Sequence, residues 1–301
     1  KMSTRMMKDL GDVDVFAEVT DAKTPDIKPS QVLVKQHATA IDPYDVKFRA
    51  GVMGTSAPTP LINGSSVAGD IIAVGSEVSD FHVGDRVAAS PHLKSYAEFV
   101  AVSSKQLAKI PDGVSYETAA AVALGGQTGY QMMTTDLDVR PGESVLIHGG
   151  AGSVGFTAIQ VAQTIGAGKI YTTASGESAV FLKSFNPHLH VIDYKKESLA
   201  TVIKDKVDVV LDTIGGKTLT DSLNVLQLEG RLVSIVDNND DPRVTNSFMK
   251  SNGQQLAALL QMVASGDVKV NIAEVAPFNV INLKEFHSRQ HVLGKLVLKF
   301  S

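Results

Sequence analysis

The spacing of apolar positions changes character near residue 120. Before that point, short alternating runs are punctuated by Gly, Pro, Asp and Ser. SQVLVKQHATAI (30–41), DIIAVGSEV (70–78), GDRVAAS (84–90) and YAEFVAV (96–102) read as strands. Asn63-Gly64, Gly84-Asp85 and Pro111-Asp112-Gly113 supply the turns between them. Strands this short and this evenly spaced predict an all-β, barrel-like or sandwich-like unit.

From 117 to 133 the pattern turns helical, and beyond Pro141-Gly142 strands and helices alternate. ESVLIHG (143–149) reads as a strand. Val154, Ala158, Val161, Ala162 and Ile165 then repeat at helical spacing, with Gly166 as the stop. Strands follow at KIYTTAS (169–175), HVIDY (190–194), VDVVLDTIG (207–215) and RLVSIV (231–236). QQLAALLQMVA (254–264) is an amphipathic helix, and LGKLVLKF (293–300) is strand-like again. Continuous apolar strands alternating with helices predict an α/β, doubly wound parallel sheet. The expected organisation is a β-rich domain over 1–120 and 268–301, with an α/β domain over 121–267. The cleft between two such domains is the expected active site.

Composition narrows the chemistry. The 301 residues are 44% hydrophobic and 20% charged, with a formal charge of −4, so nothing favours nucleic acid or an anionic membrane as partner. No apolar run reaches the ~18 residues a membrane span needs. The basic first residues, KMSTRMMK, lead into GDVDVF without an apolar segment; they do not read as a signal peptide and receive no structural weight. The cytoplasm is the expected compartment. With no cysteine, neither a disulfide nor a thiolate-bound zinc is available. The eight histidines, including His148, His188 and His190, lack zinc-ligand spacing.

VLIHGGAGSVG (145–155) is a strand running through a tight turn into a helix. Gly150, Gly152 and Gly155, with Ser153 and Val154 between the last two, satisfy G-x-G-x-x-G. The first glycine allows the turn, the second lets a pyrophosphate approach the backbone, and the third lets helix and strand pack closely. The helix N-terminus then offers free amides to the phosphates. A carboxylate ~20 residues further on reads the NAD ribose. Here that strand ends at Ser175, next to Gly176, so nothing at this position repels a 2′-phosphate. Tyr194, Lys195 and Lys196 are further candidates to meet one, whereas Glu177 opposes it. NADP(H) is the expected cofactor.

Further segments carry a family resemblance. They are Asp42-Pro43-Tyr44-Asp45-Val46-Lys47, Gly64-Ser65-Ser66-Val67-Ala68-Gly69, Val83-Gly84-Asp85-Arg86-Val87, Gly126-Gln127-Thr128-Gly129-Tyr130, Asp212-Thr213-Ile214-Gly215-Gly216 and the terminal His291…Gly294-Lys295. In this order, around the glycine fingerprint, the chain resembles the medium-chain dehydrogenase/reductase superfamily, in its zinc-free quinone oxidoreductase (zeta-crystallin-like) branch. The resemblance implies a GroES-like β-rich domain and a Rossmann domain. It adds Thr128, Asp212, Ile214 and Lys295 to the cofactor-binding residues. It also implies a small-molecule electron acceptor, and pairing of two copies through an edge strand of the nucleotide domain. In this chain Asp42 stands where the family has an asparagine beside the nicotinamide, and a carboxylate there needs a partner or a raised pKa.

Without a metal Lewis acid, alcohol oxidation is poorly supported. Reduction of a quinone or of an activated C=C bond needs only alignment of the cofactor and a donor for the developing oxyanion. Tyr44, Lys47 and Asp42 are the candidate catalytic residues, with Tyr130 a further donor and Lys47 alternatively an ion-pair partner of Asp45. The alternative function is an NADP(H)-binding sensor or structural protein with little catalysis.

Overall fold

A computed structural model describes residues 1–54 and 59–301. The chain forms two compact units. The first comprises Lys1–Leu124, Ser251–Ser265 and Val270–Ser301; the second comprises Gly125–Lys250 and Gly266–Lys269.

The first unit contains strands β1 (Met2–Met7), β2 (Phe16–Ala22), β3 (Gln31–Ile41), β4 (Leu61–Ile62), β5 (Val67–Val74), β6 (Arg86–Ala89), β7 (Phe99–Ser103) and β8 (Ala108–Lys109). Helices α1 (Pro43–Arg49) and α2 (Tyr116–Val122) belong to it as well. Eleven-residue β3 pairs antiparallel with β5 along one edge. Its other edge serves β7 through Gln31–Lys35 and, further along, a C-terminal strand through Ala38–Ile41. Val32, Val34, Val67, Ile71, Val87, Val100 and Val102 form the sheet's core, the face that the alternating pattern selects. The N-terminal residues, to which the sequence reading gave no weight, form β1 between β2 and β4. Met2 and Met7 are buried there, and the Thr4 hydroxyl donates to the Tyr96 carbonyl at 2.9 Å.

The second unit holds α3 (Gly125–Gln131), β9 (Val145–Ile147), α4 (Ser153–Ile165), β10 (Ile170–Ala174), α5 (Gly176–Phe185), β11 (His190–Asp193), α6 (Leu199–Val202), β12 (Val207–Asp212), α7 (Gly216–Asn224), β13 (Leu226–Ser234) and β14 (Val244–Asn246). The sheet runs β11-β10-β9-β12-β13-β14, and every pairing is parallel. Counted within the unit this is the order 3-2-1-4-5-6, that of a doubly wound nucleotide-binding sheet. Its ligand position lies at the carboxyl ends of β9 and β12, where the order reverses. Gly166 caps α4 in the left-handed region at φ 94°, as the sequence requires.

α8 (Gly253–Ser265), β15 (Ile272–Pro277), α9 (Val280–Ser288) and β16 (Lys295–Lys299) complete the first unit, β16 being the strand that joins Ala38–Ile41. The sequence boundaries, 121–267 for the α/β domain, place the 254–264 helix there; the structure places it in the first unit. A Cβ at Gly253 would lie 2.1 Å from the Leu107 carbonyl oxygen, so α8 makes backbone contact with the segment before β8. That close approach ties it to the β-rich unit.

Each unit buries one neutral histidine. His148 lies between the Thr173 hydroxyl, 3.0 Å from Nδ1, and the Ser222 hydroxyl, 2.7 Å from Nε2. Ser222 donates onward to the Thr218 carbonyl, so it accepts from Nε2–H, and Nδ1 accepts from Thr173. Burial lowers the His148 pKa to about 4. In the first unit His287 Nδ1 faces the Arg49 guanidinium at 3.3 Å, and Nε2 meets the Tyr96 hydroxyl at 2.8 Å. Burial, then the Arg49 charge, lowers the His287 pKa to about 3. The fully buried Asp45 shifts the opposite way: burial, then the Asp42 charge, raises it to about 7.

These shifts set the acid response. Between pH 6.5 and about 4 each histidine binds its proton in the unfolded chain but not in the native one, so its contribution is lost as pH falls. Over the same window Asp45 is protonated when folded and ionised when unfolded, so it contributes in the opposite sense. Two losses against one gain leave a net loss of stability on acidification. Urea unfolding at pH 6, 5 and 4.5 is expected to show that decline. Stability constant over this range would contradict it.

Candidate functional site

The glycine turn connects β9 to α4. Gly149, one residue ahead of the fingerprint, takes the left-handed conformation at φ 64° and makes the reversal that the sequence reading gave to Gly150. Its carbonyl accepts from the Gly152 amide at 3.0 Å. Gly150 is required for proximity instead: a Cβ there would lie 2.1 Å from Thr172 Oγ1. At Gly155 a Cβ would lie 2.3 Å from the Gly149 carbonyl oxygen. At Gly152 the nearest atom would be 3.3 Å away, a contact relieved by a small shift. The protein's own packing thus demands Gly150 and Gly155 more strictly than Gly152. Gly152 is the N-cap of α4 and has no side chain to cap Ser153, Val154 and Gly155, whose amides open the first turn. An uncapped helix start on a bare backbone fits a pyrophosphate.

Neighbouring strands hold this turn. The Gly149 amide donates to Thr173 Oγ1 at 3.1 Å and the Gly150 amide to the Thr173 carbonyl at 3.2 Å. Thr213 donates its hydroxyl to the His148 carbonyl at 3.0 Å. Asp212 is fully buried at the end of β12. Its carboxylate accepts from the Ile214 and Gly215 amides, each at 3.0 Å, and from the Ser234 hydroxyl at 2.7 Å. Asp212 therefore shapes the 213–216 turn, and what that turn exposes beside Gly149 is Ile214. Thr128 is buried on α3. That helix packs on the start of α4 so closely that a Cβ at Gly125 would lie 2.4 Å from Ser153 Oγ.

Ser175 and Tyr194 follow the paired ends of β10 and β11, where Ala174 stands beside Asp193. The structure brings the two together: Ser175 Oγ donates to the Tyr194 hydroxyl at 3.2 Å. Ser175 is the N-cap of α5 and makes no capping bond with its side chain. The Asp193 carboxylate is held by the Lys195 amide at 3.1 Å. Lys195, Lys196 and Glu177 are exposed.

In the first unit, Asp42, Tyr44 and Lys47 follow one another at the start of α1. Asp42 is the N-cap and Pro43 occupies N1, the position where its missing amide is harmless. The Asp42 carboxylate is buried and ion-paired with the Lys295 ammonium, which also donates to the Ile41 carbonyl at 3.1 Å. Asp42 thus has the partner its burial calls for. Lys295, expected among the cofactor ligands, holds that carboxylate. Asp45 accepts from the Asp42 amide at 2.9 Å and the Ser65 hydroxyl at 2.6 Å. Lys47 is exposed, so the Lys47–Asp45 pairing weighed from the sequence is replaced by these buried bonds. Tyr44 is half-buried, and burial, then the Asp45 charge, raises its pKa. Its hydroxyl lies 2.6 Å from His92 Nδ1.

Sequence reasoning missed Gly149, Thr173, Ser65 and His92. The Gly149-Gly150 doublet carried a signal for the first. Ser65 lay within the Gly64–Gly69 segment but was given no role of its own; Thr173 and His92 are single residues on separate elements, with nothing local to mark them. Among the described residues, no group of three or more His, Cys, Asp or Glu stands arranged to hold a metal ion. Among the same residues, no helix is long and apolar enough to cross a membrane.

Residues 28–133 match the alcohol dehydrogenase GroES-like domain, and residues 188–298 match the zinc-binding dehydrogenase domain. A 2-methylene-furan-3-one reductase of Solanum lycopersicum is 34% identical over 304 residues, covering 96% of this chain and 77% of that one. A chloroplastic NADPH-dependent alkenal/one oxidoreductase of Arabidopsis thaliana is 33% identical over 313 residues, covering 99% and 79%. Among solved structures, the quinone oxidoreductase from Coxiella burnetii superposes with a TM-score of 0.88 at 29% identity, covering 99% of each chain. On its domains, its strand order and these relatives, the chain belongs to the medium-chain dehydrogenase/reductase superfamily, in its zinc-free quinone oxidoreductase branch.

Proposed function

We propose that this chain is an NADPH-dependent oxidoreductase that reduces a quinone or the activated C=C bond of an α,β-unsaturated carbonyl. The observation that carries this reading is the 149–155 turn, whose bare backbone ends in an uncapped helix at the carboxyl edge of a parallel sheet. The amides of Ser153, Val154 and Gly155 hold the pyrophosphate. Ile214, displayed by the turn that Asp212 shapes, and Thr128 contribute to the same site. Ser175 and Tyr194 take the 2′-phosphate with Lys195 nearby, because they present two hydroxyls and no acidic side chain at the position that reads the ribose. The names of the relatives supply the acceptor classes, quinones and enones.

When bound, the cofactor supplies a hydride to the acceptor. The residues of this chain deal with the charge that follows. A quinone and an enone both gather negative charge on oxygen as they are reduced, and a positioned O–H or N–H stabilises it. Tyr44 is the donor assigned here: its phenol is half-buried and held protonated by burial and by Asp45. Asp42 and Lys295 act as a positioning pair, fixing the N-terminus of the helix that carries Tyr44. The exposed Lys47 adds positive charge on that helix.

The direct test mixes purified protein with NADPH or NADH and a panel of quinones and enones, following absorbance of the reduced cofactor. Turnover with NADPH preferred is expected; NADPH binding without turnover on any acceptor rejects the reading. Ser175→Asp places a carboxylate against the 2′-phosphate. It is expected to cut the NADPH-over-NADH preference at least about tenfold, equivalent to ~1.4 kcal/mol, and an unchanged ratio removes Ser175 from that role. The glycines separate folding from binding. Gly152→Ala is expected to melt near the parent temperature yet bind NADPH at least about tenfold more weakly, whereas Gly150→Ala loses stability first. Thermal melts beside fluorescence titrations with NADPH read both.

A further inference from the structure

We propose that His92 is the proton-relay partner of Tyr44, returning to its phenol the proton given to the reduced acceptor. The inference rests on the reductase reading above and adds a residue that neither the family motifs nor the chain's spacing singled out.

Tyr44 is the second residue of α1, and His92 lies in the connection from β6 to β7. The two are 48 positions apart, yet Tyr44 Oη stands 2.6 Å from His92 Nδ1. That is a short O–H···N contact between two groups that can both give and take a proton. Phe48, buried one helical turn after Tyr44, meets the imidazole edge-on at 6.1 Å and 85°. The Tyr44 ring lies 5.5 Å from it. The imidazole is thus oriented by two aromatic side chains of α1, although His92 itself is exposed. On α1 the Asp45 charge acts on Tyr44 and Lys47 is exposed; in the connection that carries His92, Lys94 is exposed.

This arrangement divides the labour of proton delivery. A half-buried phenol is a good donor to an oxyanion but recovers its proton slowly unless a second group is in contact with water. Imidazole as a class titrates near neutrality, and this one reaches solvent. In the relay, the Tyr44 O–H bond breaks as a new O–H bond forms on the acceptor oxygen. The His92 N–H bond then breaks as the phenol O–H is restored, and the imidazole takes a proton from water. No electrons move in these steps; the hydride and its electron pair come from NADPH. A second tyrosine–histidine hydrogen bond, Tyr96 with His287, is buried on both sides and lacks that exit.

His92→Ala is expected to fold as the parent does, because the side chain is exposed. Its kcat with a benzoquinone or an alkyl vinyl ketone is expected to fall about tenfold to hundredfold, the scale of general-acid assistance, with KM within about threefold. The change of kcat with pH near neutrality should disappear, and added imidazole should restore part of the rate. Tyr44→Phe should be as slow and insensitive to imidazole. Independently of turnover, the His92 ring signals in an NMR pH titration should shift their midpoint when Tyr44 is replaced by Phe. Parent kcat and pH profile in His92→Ala overturn the relay alone, as does a slow His92→Ala that keeps its pH profile and ignores imidazole. An unmoved NMR midpoint also overturns it. A parent protein that binds NADPH but reduces no acceptor overturns the relay together with the reductase reading.

Discussion

The second unit is organised around one close approach. The carbonyl oxygen of Gly149 sits where a Cβ of Gly155 would be, 2.3 Å away, so turn and helix share space that only backbone can occupy. The contact brings the N-terminus of α4 against the end of β9, and the neighbouring strands then hold it. Thr173 takes the Gly149 amide, Thr213 takes the His148 carbonyl, and His148 is clamped between Thr173 and Ser222. Every polar group used to shape the turn lies beneath or beside it. The amides of the first helical turn are left for a ligand, which is how a parallel sheet presents phosphates with a pre-formed anion site.

The first unit solves a different problem, the burial of several charges. Asp42 and Asp45 lie on one turn of α1, and both are almost wholly excluded from solvent. Lys295, arriving on β16 from more than 250 positions away, neutralises the first, while Ser65 and the Asp42 amide satisfy the second. His287 and Arg49 extend the chain of hydrogen bonds behind Tyr96. A buried pair of this kind is weak evidence of stability, since removing ions from water opposes their attraction. Its effect here is positional: it pins the N-terminus of the helix that carries half-buried Tyr44 and exposed Lys47.

Much of this was legible in the chain. The change of period near residue 120, the alternation of strands and helices after Pro141 and the stop at Gly166 all reappear in the structure, because each rests on a local rule of side-chain direction or backbone conformation. The fingerprint glycines were visible for the same reason, though their duties were redistributed. The left-handed residue is Gly149, and Gly150 serves proximity to Thr172, because a turn's φ angles are set by the strands that flank it. The N-terminal strand was missed: its mix of Met, Ser, Thr and Arg shows no clean alternation, and only pairing with β2 and β4 gives it a place.

Sequence alone determined the class of the fold, the place of the dinucleotide turn, the lack of any cysteine ligand and the absence of a carboxylate at Ser175. These follow from residue type at short range, where chain chemistry leaves few choices. Tertiary structure decided which side chains meet: Asp42 with Lys295, Asp45 with Ser65, Ser175 with Tyr194, Tyr44 with His92. It also decided that the helix at 253–265 belongs with the β-rich unit. Those pairings join residues from 19 to 253 positions apart. No local periodicity encodes them, because they exist only once separate elements have packed.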